Sequence, residues 1–156
     1  MLASHPEFAD QIAEDSTGTA VVRVIAETMR LYPPGWIFSR NATNPVELFG
    51  HHLSAGTDFI ISPYLLHRAP EAFPSPEKFR PDRWRDMDPD AKRSYLPFGL
   101  GPRRCLGEML GNAEMITALT TLCRRWRFVL PPNASVTPRF RGGLSPHDLV
   151  LEVQAR

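Results

Sequence analysis

The decapeptide FGLGPRRCLG, Phe98 to Gly107, places one cysteine among three glycines, a proline and two arginines. Regular strands and helices do not carry that mixture, because glycine loosens the backbone and proline withdraws an N–H donor. The composition predicts an irregular loop that presents Cys105. Directly after it, Leu106, Met109, Leu110, Ala113, Ile116, Leu119, Thr120 and Cys123 recur at helical spacing, predicting a helix from Cys105 to about Arg127. A cysteine at a helix start meets unpaired backbone N–H groups and the positive end of the helix dipole. Both favour a thiolate, the form that binds metal. Arg103 and Arg104 add positive charge. Gly99 and Gly101 permit a tight turn, Gly107 lets a bulky flat partner approach the helix, and Phe98 is placed to pack near the sulfur and limit water.

Four roles for Cys105 fit these features unequally. A structural zinc site needs about four ligands, and the second cysteine, Cys123, is far along the chain. A nucleophile needs a base such as histidine, and none is adjacent in sequence. A plain buried cysteine is common, yet packing does not require so many glycines and arginines around it. A thiolate ligand to haem iron needs one cysteine, a tight loop and a dry lid.

Around this loop the chain reads as an ordinary domain. Its 156 residues are 42% hydrophobic and 22% charged, with a net charge of +1. That balance excludes a disordered chain and a general nucleic-acid binder. No apolar run reaches the roughly 18 residues of a spanning helix, and the start, MLASHPEFADQ, lacks a signal-peptide core. With only two cysteines, a reducing, cytoplasmic location is expected. Sixteen prolines are about twice the usual share and predict a loop-rich region after the early helices.

Residues 5–15 predict a short helix with Pro6 in its first turn. Thr19 is a candidate N-cap for a second helix, in which Val21, Val22, Ile25, Met29 and Tyr32 form one face before PPG at 33–35 stops it. The runs WIFSRNAT, VELFGHHL and DFIISPYLLH predict one small, mostly antiparallel sheet, with His51 and His52 solvated. Six prolines in residues 69–97 predict a long meander, and RGGLSPHDLVLEV closes with one strand. The expected organisation is a single partial domain, mainly α with small β-sheets (α+β). It comprises helices over 1–35, sheet over 36–68, meander and cysteine loop over 69–104, a helix over 105–128 and a β tail over 129–156.

The loop matches F-x-x-G-x-R-x-C-x-G, the haem-binding pattern of the cytochromes P-450, at Phe98, Gly101, Arg103, Cys105 and Gly107. Further motifs resemble the same family in the same order. ETMRLYPPG resembles its E-x-x-R helix and proline break, and FRPDRW its F-x-P-x-R-F/W segment, with Trp84 where Phe is commoner. The resemblance implies that Glu27 bridges Arg30 and Arg83 in a buried structural network, with His67 and Arg68 as scaffold. It implies heme b held by Cys105, propionates anchored by Arg103 and Arg40, and a sulfur environment shaped by Phe98 and Gly107.

It also implies a soluble, bacterial-type monooxygenase that inserts one oxygen atom of O2 into an apolar, terpene- or steroid-like substrate, with Trp36, Ile37 and Phe38 at the pocket. Electrons would come from a ferredoxin-type or flavoprotein donor. Residues 92–127 hold seven Lys or Arg against two acids, a face suited to an acidic donor. LASHPEFADQIAED resembles the segment immediately after the family's long central helix, whose acid–alcohol pair is not found here. The N-terminal half is therefore expected to be absent, and catalysis to require a complementary N-terminal chain. The alternative is a non-catalytic, truncated relative acting as an interaction or stabilising module.

Overall fold

The computed structural model describes residues 1–156, apart from the side chain of Asp90. Helix α1, Pro6–Glu14, starts on Pro6, whose missing N–H has no helical partner at that position. Helix α2, Thr19–Leu31, follows after a tight break. Its cap differs from the expectation. Thr19 lies inside the first turn, Gly18 takes the left-handed backbone at φ 76°, and Asp15 does the capping. The Asp15 carboxylate accepts the N–H groups of Ala20 and Thr17, both at 2.7 Å. These bonds hold its pKa well below the usual carboxylate range.

One stripe of α2, comprising Ala20, Val21, Val24, Ile25 and Met29, packs on Ala9 and Ile12 of α1 and on Cys123. Cys123 belongs to α5, Glu108–Arg125. That helix begins three residues later than predicted, and its last two expected residues instead open strand β5, Trp126–Val129. Met115, Ile116 and Leu119 pack against the core, whereas Leu106, Met109 and Leu110, predicted to join the stripe, are exposed.

The sheet expected over 36–66 is two separate antiparallel pairs. Strand β1, Phe38–Asn41, pairs with β4, Asp58–Ile61, and β2, Val46–Leu48, pairs with β3, His51–Leu53. The second pair closes locally through the turn at Phe49 and Gly50, both at positive φ, and is nested between the strands of the first. His51 and His52 are exposed on β3. Instead of one strand, the tail holds a hairpin of β6, Thr137–Phe140, and β7, Leu144–His147, then β8, Glu152–Ala155, which pairs with β5. Period-two alternation is weak in these mostly exposed strands, which hid them. The hairpin is fastened to the proline break: Leu144 N–H reaches Pro34 O at 2.9 Å, and Trp36 Nε1 reaches Arg141 O at 2.9 Å.

Between β4 and α5 run two short helices, α3 (Pro63–Leu66) and α4 (Pro89–Arg93), within a long irregular meander. A buried carboxylate fastens it. Glu27 has no solvent exposure and accepts hydrogen bonds from Arg30 Nε and Nη2, Arg80 N and Trp84 Nε1, each 2.9 Å long, and from Arg83 Nε at 3.0 Å. Burial pushes its pKa up, but the Arg30 hydrogen bonds, the Arg80 N–H and the charges of Arg30 and Arg83 prevail and hold it low. Arg30, equally buried, also donates to His67 O at 2.8 Å and Lys78 O at 3.2 Å. Trp84 therefore has a task that phenylalanine could not perform.

His67 is buried as well, and burial lowers its pKa from 6.5 to about 4. Folding thus favours the neutral ring. Its contribution is complete above pH 6.5 and is lost as pH falls toward 4.

Two outcomes are expected from these partners. Trp84→Phe keeps the ring but loses one bond to a charged acceptor, and urea unfolding will show a loss of about 1.5–3 kcal/mol. Glu27→Ala, which strands two guanidiniums, will cost about 3–5 kcal/mol or more. Equal stability of Trp84→Phe and the parent would refute the first ranking. Thermal unfolding followed between pH 6.5 and 4 will show a downward slope in the parent that His67→Phe, less stable throughout, has largely lost.

Candidate haem-thiolate site

The cysteine loop starts at Leu96, where the meander ends, and runs to the N-terminus of α5. Gly99 and Gly101 stand at φ 74° and 71°, a left-handed backbone that side chains with a Cβ adopt only under strain. Their turn is closed across its base by Cys105 N–H, which donates to Phe98 O at 2.9 Å. Inside it, Gly99 N–H reaches Leu96 O at 3.1 Å and Arg104 N–H reaches Gly101 O at 3.0 Å. The loop is thus held by its own backbone, and Cys105 is exposed at its exit.

The sulfur lies beside the start of α5. Gly107 is the helix N-cap, and a Cβ built on it would sit 3.8 Å from Cys105 Sγ, in space that glycine leaves open. Contrary to the expectation, Arg104 does not leave its charge free for the sulfur. Its guanidinium pairs with both carboxylate oxygens of Glu108. Arg103 is exposed and forms no ion pair among the described residues. Phe98 packs against the core formed by α1, α2 and Cys123, and its carbonyl accepts the Cys105 N–H. Behind the loop, Phe98, Tyr95, Trp84, Ile25 and Ile116 line a depression of about 500 Å³.

Arg40 lies on β1, opposite Phe59 in register. Its guanidinium stacks on Phe38 at 4.8 Å and donates to Ser39 O at 2.8 Å, without a carboxylate partner among the described residues. Trp36 and Ile37 line a second groove of about 680 Å³ with Ile60, Ile61, Tyr64 and Phe140, whereas Phe38 carries Arg40 instead of lining it.

This donor set suits haem. Among the described residues, no three His, Cys, Asp or Glu side chains gather closely enough to share a metal ion, which disfavours zinc. No side chain among them hydrogen-bonds to Cys105, so no base is placed to activate a nucleophile. A single exposed sulfur beside an open glycine, flanked by apolar Leu106, Met109 and Leu110, matches a large flat ligand with one axial bond. Cys105, Arg103 and Arg40, the residues that sequence reasoning singled out, all lie exposed or half-exposed at the loop and on β1. That reasoning missed Trp84 as a donor to Glu27, although the departure from Phe in FRPDRW was the available signal.

No helix among the described residues is long and apolar enough to cross a membrane.

Comparison with known proteins places the chain in a family. The sequence is 45% identical to cyclooctatin synthase of Streptomyces melanosporofaciens over 121 residues, which are 75% of this chain and 26% of that protein. It is 38% identical to pentalenene oxygenase of Streptomyces avermitilis over 121 residues, 74% of this chain and 26% of that protein. It is 40% identical to thromboxane-A synthase of Macaca fascicularis over 115 residues, 72% of this chain and 22% of that protein. The chain thus spans about a quarter of the length of these curated relatives. The family description "Cytochrome P450" matches residues 19–153, from the first turn of α2 into β8. With the cysteine loop and the Glu27 network both inside that span, the chain belongs to the cytochrome P450 family.

Proposed function

We propose that this chain is the haem-thiolate-binding part of a monooxygenase that inserts one atom of O2 into an apolar substrate. The observation that carries the reading is Cys105, held exposed at the exit of a backbone-closed loop and beside the opening at Gly107. Cys105 would hold heme b through its sulfur. Arg103 and Arg40, both without a carboxylate partner among the described residues, bind the two propionates as planar donors. Gly107 leaves room for the macrocycle, and the carbonyl of Phe98 fixes the backbone of Cys105. Bound haem supplies oxygen activation, with the thiolate's electron donation favouring O–O cleavage.

The groove lined by Trp36, Ile37 and Ile60 is apolar, as a wall for an apolar substrate should be. Relatives named for oxygenating pentalenene and for 5-monooxygenation of cyclooctat-9-en-7-ol support the same substrate class. Residues 92–127 carry the positive charge suited to an acidic ferredoxin-type or flavoprotein donor. Leu106, Met109 and Leu110 lie open on and before α5, and the chain covers about a quarter of its relatives. Turnover therefore requires a complementary N-terminal part, in a cytoplasmic setting where the thiol stays reduced. Those same open faces favour the second reading, an interaction or stabilising module without catalysis.

Reconstitution with haem, reduction and carbon monoxide addition separates the two. The expected product has a strongly red-shifted, thiolate-type Soret band that Cys105→Ser abolishes. Absence of haem uptake, or an identical spectrum in Cys105→Ser, would reject the first reading. Arg103→Ala combined with Arg40→Ala will release haem faster to an apo-globin acceptor. An unchanged transfer rate would reject their assignment to the propionates.

A further inference from the structure

We propose that His67 is a positioning residue for the cysteine loop, its ring joining the end of α2 to Leu96 and thereby fixing the backbone that carries Phe98 and Cys105. The functional meaning rests on the reading of Cys105 as iron ligand. The geometry stands apart from it. Arg30 O is among the last carbonyls of α2, which have no partner within the helix. His67 Nδ1 lies 3.1 Å from it, and Leu96 N–H donates to His67 Nε2 at 2.8 Å. Because Nε2 accepts, the proton of the neutral ring resides on Nδ1 and is donated to Arg30 O. One side chain thus satisfies two backbone groups that lie 66 positions apart, at residues 30 and 96.

The link continues to the sulfur. Leu96 also accepts Gly99 N–H, and Pro97, with its restricted φ, stands between Leu96 and Phe98. Phe98 O then receives Cys105 N–H at 2.9 Å. A shift at Leu96 is therefore passed through one stiff residue to the carbonyl that closes the loop. The ring itself cannot swing. It is buried against Phe73 and Tyr95, with centroids at 6.1 and 5.2 Å, while Arg30 Nη1 holds its carbonyl at 2.8 Å. Burial, helped by the positive charges of Arg30 and Arg68, keeps it neutral.

Residue-resolved hydrogen exchange on the 156-residue chain tests the link without haem. In His67→Phe, which keeps an aromatic ring, the Leu96 and Cys105 amides will exchange faster together, on the order of tenfold beyond the acceleration that the lower global stability gives the Val24 and Ile25 amides in α2. In His67→Gln, whose side-chain oxygen can again accept from Leu96, both rates return toward the parent. Acceleration of Leu96 alone, equal acceleration of every amide, or no recovery in His67→Gln would overturn the proposal. The spectrum of Cys105→Ser judges the iron-ligand reading separately, so either can fail without the other.

Discussion

A fully buried carboxylate organises this molecule. Glu27 cannot leave water without partners, since an unpaired charge in the interior costs several kcal/mol. Its five donors come from α2 itself and from residues 80–84 of the meander. That requirement, together with buried Phe73 and with Phe79 packed against the core, brings a proline-rich, aperiodic segment back onto α2. Arg30 extends the constraint to the carbonyls of His67 and Lys78, so both ends of the turn after α3 are bound to one guanidinium. Once this segment is placed, the position of Tyr95 and Leu96 is set, and with it the start of the cysteine loop.

The loop meets a different constraint. It must leave a sulfur uncovered while keeping its backbone still. Left-handed glycines supply the turn, and the Phe98–Cys105 hydrogen bond closes it. Side-chain packing is used on the inner side only, where Phe98 joins the core. The outer side, with Leu106, Met109 and Leu110, remains apolar and open. Open apolar surface of this kind ordinarily marks a binding face. In the proposed function, haem and a complementary N-terminal part cover it.

Motif chemistry made the site legible in the sequence, while element boundaries obey rules the sequence carries only faintly. Phe98, Gly101, Arg103, Cys105 and Gly107 stand at the spacing of the family's pattern, and Glu27 and Arg30 share a helix face, so the resemblance implied a role for each. The cap at Asp15 was hidden because Thr19 offers an equally good local pattern. Only the conformation of Gly18 decides between them. The α5 stripe was overestimated because periodicity records which residues are apolar, not which neighbours exist to cover them. The tail strands were missed because exposed hairpins need no alternation. His67 read as scaffold, and its place between Arg30 and Leu96 required a contact across 29 residues that no spacing rule contains.

The central claim is that Cys105 sulfur binds iron, and X-ray absorption at the iron edge of the haem-loaded chain tests it most directly. The expected result is one sulfur scatterer in the first coordination shell, lost in Cys105→Ser and retained in Cys123→Ser. A shell of nitrogen and oxygen alone in the parent, or a sulfur that persists in Cys105→Ser, would contradict it.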